Sequence, residues 1–503
     1  MYASLGGMSL HSLIDESVLK QRFSELAAAR NWSSSVLSAL ETFIRTADDY
    51  DLFRVNPMQY AGTARLSDAD AIDLFIHASK VALFEMDWQL LCAYCPQVAS
   101  SFRELEKVHP HFQCEFCNAI NDVALDDYIQ VTFTVSGKVR DNIFLHPEAL
   151  SVEDYYLRYH FARGFIPPGG MTPEQIIALL SREFIDIEAH QQHSFDLELF
   201  AGRFEVLDLS HNLLLVFFVE GETAEPQRIE IKLDDGRFRV NRPTGRVDKV
   251  LGEGNYSFRQ ATEVPPGSYS IEIDNRMDER GRFWIIQYPP TFVPHRVEYE
   301  PFLSGKKLLI TPTFRELYKT QLVNENEGLP VIDMTYLFTD LKGSTPLYDT
   351  VGDVNAYFMV RQHFEILNKA VRAHNGIIVK TIGDAIMGVF EKPVDAVLAG
   401  IEMVEQLQHY NRTVSTPLSL KVGIHKGRSI AVALNDRIDY FGQDVNIAAR
   451  VQGLADGNQV CISQEVMEAP GIDKLVKGYR VKPDYVSVRG VDQKVEINRI
   501  LIE

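Results

Sequence analysis

The sequence predicts a multidomain α+β protein, and three observations carry that expectation. Its 503 residues exceed what one ordinary hydrophobic core organises, so two to four domains are expected. The hydrophobic period changes along the chain, from helical steps to strand alternation and then to strands and helices in turn. Two Cys-x-x-Cys pairs mark a further module between the first two regions. Composition excludes collagenous, coiled-coil and wholly disordered chains, with 46% hydrophobic and 24% charged residues. A formal charge of −19 argues against general affinity for nucleic acid or acidic membranes. The longest strongly apolar run, Leu213–Val219, is strand-sized, so no membrane span is expected. The N-terminus has no basic stretch before an apolar one, and the expected location is the cytoplasm.

Residues 1–91 are expected to be helical. Both LIDESVLKQRFSELAAARNW and LSDADAIDLFIHASKVALFEMDWQLL repeat apolar residues at steps of three and four, with Ser67 or Asp68 as a cap. Over 92–126, Cys92, Cys95, Cys114 and Cys117 have the spacing of a zinc ribbon, in which two knuckles deliver four thiolates to a structural Zn²⁺. Two disulfides or buried free thiols are the alternatives. His109 and His111 read as surface residues, because four thiolates already close such a site. A nucleic-acid-binding ribbon would need a dense basic cluster, which these acidic surroundings lack. Residues 127–312 are β-rich: Tyr128–Val135 alternates, and short runs divided by Gly, Pro and Asn turns suggest a small sandwich from about 200. Trp32, Trp88 and Trp284 read as core residues, and Cys461 as a small buried one. Residues 313–330 read as a linker.

The last domain, 331–503, opens on the apolar strand MTYLFTD, which ends at Asp340. A helix starts near Asp353, with Tyr357, Val360, Phe364, Leu367 and Val371 on one face, and ends at Asn375-Gly376. A hairpin then turns near Gly383-Asp384, and a helix over about 393–409 follows. Asp340 and Asp384, at the ends of neighbouring strands, could bring two carboxylates together for a hard divalent cation. They could equally be two solvated turn residues, and spacing alone leaves both readings open.

Three motifs occur in order: FTDLKGST, VKTIGDAIMGVF and DYFGQDVNIAARV. Together they resemble the catalytic domain of class III adenylate and guanylate cyclases. The resemblance implies a ferredoxin-like βαββαβ-type fold and conversion of ATP to cyclic AMP and pyrophosphate, with two Mg²⁺ or Mn²⁺ ions per active site. By the same resemblance Asp340 and Asp384 hold the metals, assisted by the Leu341 carbonyl. Phe338, Thr339, Gly343, Ser344 and Thr345 line the nucleotide. Lys380 and Asp439 read the purine, and that pair favours adenine over guanine. Asn446 and Arg450, i and i+4 on a helix, orient the ribose and stabilise charge on the α-phosphate. Arg489 stands where the family carries a basic residue for the terminal phosphates.

The family places the metal aspartates on one subunit and the purine readers with the Asn/Arg pair on the other. The expected assembly is therefore a homodimer with head-to-tail catalytic domains. The segment before the cysteines resembles a module found ahead of class III cyclase domains in bacterial proteins, which gives its placement; the expectation that an unidentified ligand or protein acts on the N-terminal half rests on domain order alone. Two other functions fit the same motifs: a silent cyclase fold used as a nucleotide-binding scaffold, and a guanylate or dual-specificity cyclase.

Overall fold

A computed structural model describes residues 14–319, 323–324, 327–343, 351–434, 437–487 and 494–502. The chain divides into two compact units, one of Met1–Arg103, Pro110–Val123 and Tyr128–Leu303, the other of Glu104–His109, Ala124–Asp127 and Ser304–Glu503.

The first unit begins with four helices, Glu16–Ala29, Ser34–Thr46, Pro57–Ala64 and Asp68–Lys80. Asp15, Ser33, Asn56 and Ser67 each cap one of them, the side chain accepting from an otherwise unpaired N–H of the first turn. The helical expectation for 1–91 fails after Lys80, because Phe84–Leu91 is a strand. Its apolar residues fit either period. Pairing on both edges, with Val98–Phe102 and Ile129–Val135, favours the strand and buries Trp88 completely. Ile129–Val135, expected to alternate, is buried at every position.

The β-rich region contains a six-stranded and a four-stranded sheet. Ile229, Ile231 and Leu233 of the smaller sheet share one core with Phe204, Val206 and Phe217 of the larger. The larger sheet is covered on its other face too: Leu207, Val216, Phe258 and Trp284 pack in one cluster with Cys92, Cys114 and Phe116. These strands run from Ser181–Ile187 to Gly281–Tyr288, not over 200–312. Between Tyr288 and Leu303 the chain adds a short ladder of Glu298–Tyr299 with Phe165–Ile166.

The second unit opens with two short helices, α1 (Gly305–Leu309) and α2 (Pro312–Leu317). The start of the expected linker is thus a packed helix, with Phe314 buried. Eight strands follow: β1 (Leu329–Leu341), β2 (Ile377–Ile382), β3 (Ala385–Phe390), β4 (Leu420–Leu434), β5 (Arg437–Phe441), β6 (Gln459–Ser463), β7 (Arg480–Ser487) and β8 (Lys494–Leu501). They form one sheet in the order β2-β3-β1-β4-β6-β8-β7, with β5 paired to the end of β4. Helices α3 (Asp353–Ala373) and α4 (Pro393–Asn411) complete a β1-α3-β2-β3-α4-β4 order. Both pack on one face, where Leu367, Ala399 and Met403 meet Leu337, Val422 and Ile424. Helix α5 (Gln443–Gly453) contributes Val451 to a separate cluster with Cys461 and Ile497.

The buried stripe of α3 agrees with the expected one at Leu367 and Val371, with Phe364 packed against the same core, and departs from it at the start of the helix. Ala356, Met359, His363, Leu367 and Ala370 are buried, whereas Tyr357 is 62% exposed. The two stripes have nearly the same spacing, and small residues at 356 and 370 suit close packing on the sheet. Asn375 ends the helix with φ 58°, and the Gly376 N–H donates to Val371 O at 2.9 Å.

Candidate active site

Asp340 is the penultimate residue of β1, and Asp384 occupies the turn between β2 and β3, where Gly383 takes φ +64°. That left-handed turn is one that glycine adopts without strain. The neighbouring strands bring the two carboxylates close together. Burial raises the Asp340 carboxyl above its ordinary pKa, the Asp384 charge raises it further, and Lys421, with its ammonium 4.0 Å away, opposes both. Asp384 Oδ2 is buried and accepts no hydrogen bond among the described residues. Two adjoining carboxylates, one with an orphaned buried oxygen, suit a hard divalent cation that takes oxygen ligands and relieves their repulsion.

The backbone beside this pair is fixed by residues of the other elements. His363, fully buried on α3, meets the Asp384 carbonyl at 3.1 Å. Burial holds its pKa down at about 4, so the ring is neutral, and a carbonyl only accepts, so Nε2 carries the proton. Sequence reasoning missed His363; its only sequence signal is a polar residue within the α3 stripe. Thr339 faces away from Asp340, and its hydroxyl accepts the Ile386 N–H at 3.1 Å. Its side chain thus fastens β1 to β3. Phe338 lies on the Asp340 side of the strand and is 7% exposed, while the Leu341 side chain is buried. Gly343 is described, with φ +75°, but Ser344, Thr345 and Arg489 lie outside the described residues.

A second pair is formed by Lys380 on β2 and Asp439 on β5. The β2–β3 register slips between Ile378 and Lys380, an irregularity that re-aims the lysine. Its Nζ lies 2.5 Å from Asp439 Oδ2, and Asp439 Oδ1 accepts from the Tyr440 N–H at 2.8 Å. The lysine side chain is 38% exposed and the aspartate 8%. One cationic donor and one carboxylate acceptor thus sit side by side.

Asn446 and Arg450 share one face of α5, the first exposed and the second half-buried. Neither side chain makes a hydrogen bond or ion pair among the described residues, so the structure joins them to neither acidic pair. The helix backbone lies directly on β4, where a Cβ at Gly423 would stand 2.1 Å from the Gln452 nitrogen. Asp444, in the first turn, accepts the Arg428 N–H at 2.6 Å and so fixes the start of the helix.

The cysteines make a separate cluster in the first unit. The four Sγ atoms lie within 4.8 Å of one another, with Cys92–Cys117 at 3.6 Å and Cys95–Cys114 at 3.7 Å. A tetrahedron with Zn–S bonds of about 2.3 Å has edges near 3.8 Å, whereas a disulfide needs about 2.05 Å. Burial pushes the Cys95 and Cys117 thiols up. Burial acts the same way on Cys92, but hydrogen bonds from the other three thiols outweigh it and hold that thiol low. Asn121 Nδ2 donates to Cys92 Sγ at 3.5 Å, and Asn121 Oδ1 accepts from Ala93 N at 2.8 Å, so this amide supports the first knuckle. His109 and His111 are exposed, and Trp88 and Trp284 are buried. Among the described residues no helix is long and apolar enough to cross a membrane.

Residues 330–498 match the family described as adenylate and guanylate cyclase catalytic domain. The adenylate cyclase of Mycosarcoma maydis is 32% identical over 160 residues, 28% of this chain and 6% of that protein. The adenylate cyclase of Anabaena cylindrica is 29% identical over 183 residues, 33% of this chain and 36% of that protein. The chain thus spans well under half the length of either relative. Among solved structures, the adenylyl cyclase CyaB from P. aeruginosa is 22% identical, covering 35% of this chain and 97% of that one, with a TM-score of 0.31. The guanylyl cyclase Cya2 is 24% identical, covering 35% and 95%, with a TM-score of 0.32. The C-terminal part of the chain is a class III nucleotidyl cyclase catalytic domain. Over residues 19–316, more than half its length, the chain belongs to the family of unknown function DUF5939.

Proposed function

We propose that the protein is an adenylate cyclase that converts ATP to 3′,5′-cyclic AMP and pyrophosphate. The observation that carries this reading is the approach of Asp340 and Asp384, with Asp384 Oδ2 buried and unbonded, inside a cyclase catalytic domain. Asp340 and Asp384 would hold two Mg²⁺ or Mn²⁺ ions, which supply neutralisation of phosphate charge and a lowered pKa for the ribose 3′-hydroxyl. The 3′-hydroxyl gives up its proton to solvent, its oxygen bonds to the α-phosphorus, the α–β phosphoanhydride bond breaks, and pyrophosphate leaves with the bonding electron pair. His363 and Thr339 keep the two strand ends in place, so that little reorganisation accompanies the reaction. Asn446 and Arg450 orient the ribose and stabilise charge on the α-phosphate. Their helix serves a second copy of the chain in a head-to-tail homodimer, and the N-terminal half regulates how the two copies face each other.

Lys380 and Asp439 favour adenine. Adenine presents an acceptor at N1 and a donor at its amino group; guanine reverses that order, and a mispaired buried polar group costs about 1–3 kcal/mol. Purified protein with Mn²⁺ and ATP should release cyclic AMP, and GTP should be the poorer substrate. Lys380→Glu combined with Asp439→Cys should shift the ATP/GTP ratio of kcat/KM toward GTP by about 10- to 100-fold. If purified wild type releases no cyclic nucleotide from either triphosphate, the silent scaffold is the correct reading instead.

The four cysteines fit one structural Zn²⁺, and free thiols suit the reducing cytoplasm. Elemental analysis should find one zinc per chain. Cys114→Ser should lose it and lower the melting temperature of the first unit by about 5–10 °C. Full stability in a zinc-free preparation would remove the metal from this account.

A further inference from the structure

Arg315 on α2 has no part in the chemistry above, yet its guanidinium is engaged on three sides. Nε donates to Leu309 O at 2.8 Å, which folds α2 back on α1. Nη1 donates to Ile438 O at 2.9 Å, and Nη2 lies 3.5 Å from the Tyr440 hydroxyl. Ile438 and Tyr440 are the two neighbours of Asp439, so one planar cation grips β5 on both sides of the carboxylate paired with Lys380.

This grip matters because β5 is weakly held otherwise. Its ladder joins it only to Ile430–Leu434 at the end of β4, so among the described residues one edge carries no strand. Tyr440 is 2% exposed, and its ring stands edge-on to Tyr336 at 6.3 Å. The Asp439 carboxylate is thus fixed by four things: its own ladder, the Tyr440 N–H, the Lys380 ammonium and the Arg315 clamp on its two neighbours. The rigid fork of arginine suits the task, since it reaches two acceptors on one strand in a way that an ammonium cannot copy.

We propose that Arg315 is a positioning residue for base recognition, holding β5 so that Asp439 meets the purine edge. The proposal rests on the cyclase reading. Arg315 also lies within the last residues of the 19–316 family match, so any displacement of α2 would reach the base reader through one side chain. The clamp therefore offers a route by which the position of α2 could alter substrate affinity without touching Asp340 or Asp384.

The test compares full-length wild type, Arg315→Met and Arg315→Lys in initial rates with ATP and GTP in Mn²⁺, together with their melting curves. Arg315→Met should raise the ATP KM about tenfold, leave kcat within about twofold, and lower the ATP/GTP preference about fivefold. Arg315→Lys, which keeps one donor, should fall between. A role confined to stability would lower the melting temperature and the active fraction, hence apparent kcat for both nucleotides alike, and would overturn the proposal. Unchanged KM and unchanged base preference would overturn it too, and if Arg315→Met does not fold, Arg315→Lys decides by the same split. Calorimetric titration of ATP and GTP keeps the test independent of turnover. A wild type that binds ATP yet makes no cyclic nucleotide refutes the cyclase reading alone, and the variants' ATP/GTP affinity ratio then decides the fate of the clamp.

Discussion

Asp384→Ala is expected to lower kcat for cyclic AMP formation by about a thousandfold or more, because the site would lose one of the two carboxylates proposed to hold its cations. The same change should not weaken the fold. In the metal-free protein the Asp384 carboxylate helps push the pKa of Asp340 upward, which means that the two charges repel. Removing one relieves that repulsion, and Asp384 Oδ2 makes no hydrogen bond among the described residues that would be lost with it. Asp384→Asn, which keeps the shape, should therefore melt at or slightly above the wild-type temperature without metal. Wild type should gain thermal stability as Mn²⁺ is added, by mass action on the folded state, and the variant should gain much less. Stability and activity then move in opposite directions, which an incidental pair of turn aspartates would not produce. A variant that keeps wild-type turnover, or that is stabilised by Mn²⁺ as wild type is, would refute the metal-holding role.

Several parts of the proposed site stand out in the sequence because their signal is local. Asp340 follows an apolar strand, Asp384 follows a turn glycine, and Asn446 and Arg450 stand one helical turn apart. Other parts depend on distant pairing and leave no such trace. Phe84–Leu91 fits a helix or a strand equally by period, and only its two partner strands decide. On α3 the expected stripe holds at Leu367 and Val371 but shifts at its start, where Ala356 and Met359 are buried and Tyr357 is not. His363 reads as an interruption of that stripe, although it is the residue that donates to the Asp384 carbonyl. Arg315 reads as one charged residue in a linker, and only folding brings it to Ile438, 123 residues later. The sandwich has short alternating strands that fix a class of fold but no chemistry, and it is the cysteine cluster beside its larger sheet that carries a recognisable spacing.

A shared active site makes a stronger claim on the molecule than any single residue does. Arg450→Ala should lower kcat by about 10²- to 10³-fold, the usual cost of losing a group that stabilises charge in the transition state. In the proposed homodimer each variant alone would have two equivalent sites, each lacking one element. When the Asp384→Ala and Arg450→Ala chains exchange subunits, a mixed dimer gathers both defects into one site and leaves the other intact. Random exchange at equal amounts makes half the dimers mixed, each with one working site of two, so about a quarter of wild-type activity should return. Neither Asn446 nor Arg450 is bonded to Asp340 or Asp384 among the described residues of one chain, which is the condition under which such rescue has meaning. Co-expression with two different tags isolates the mixed dimer, whose activity should approach half that of wild type. If the isolated mixed dimer shows only the summed activity of the two inactive parents, the site lies within one chain, and the head-to-tail assembly has to be abandoned.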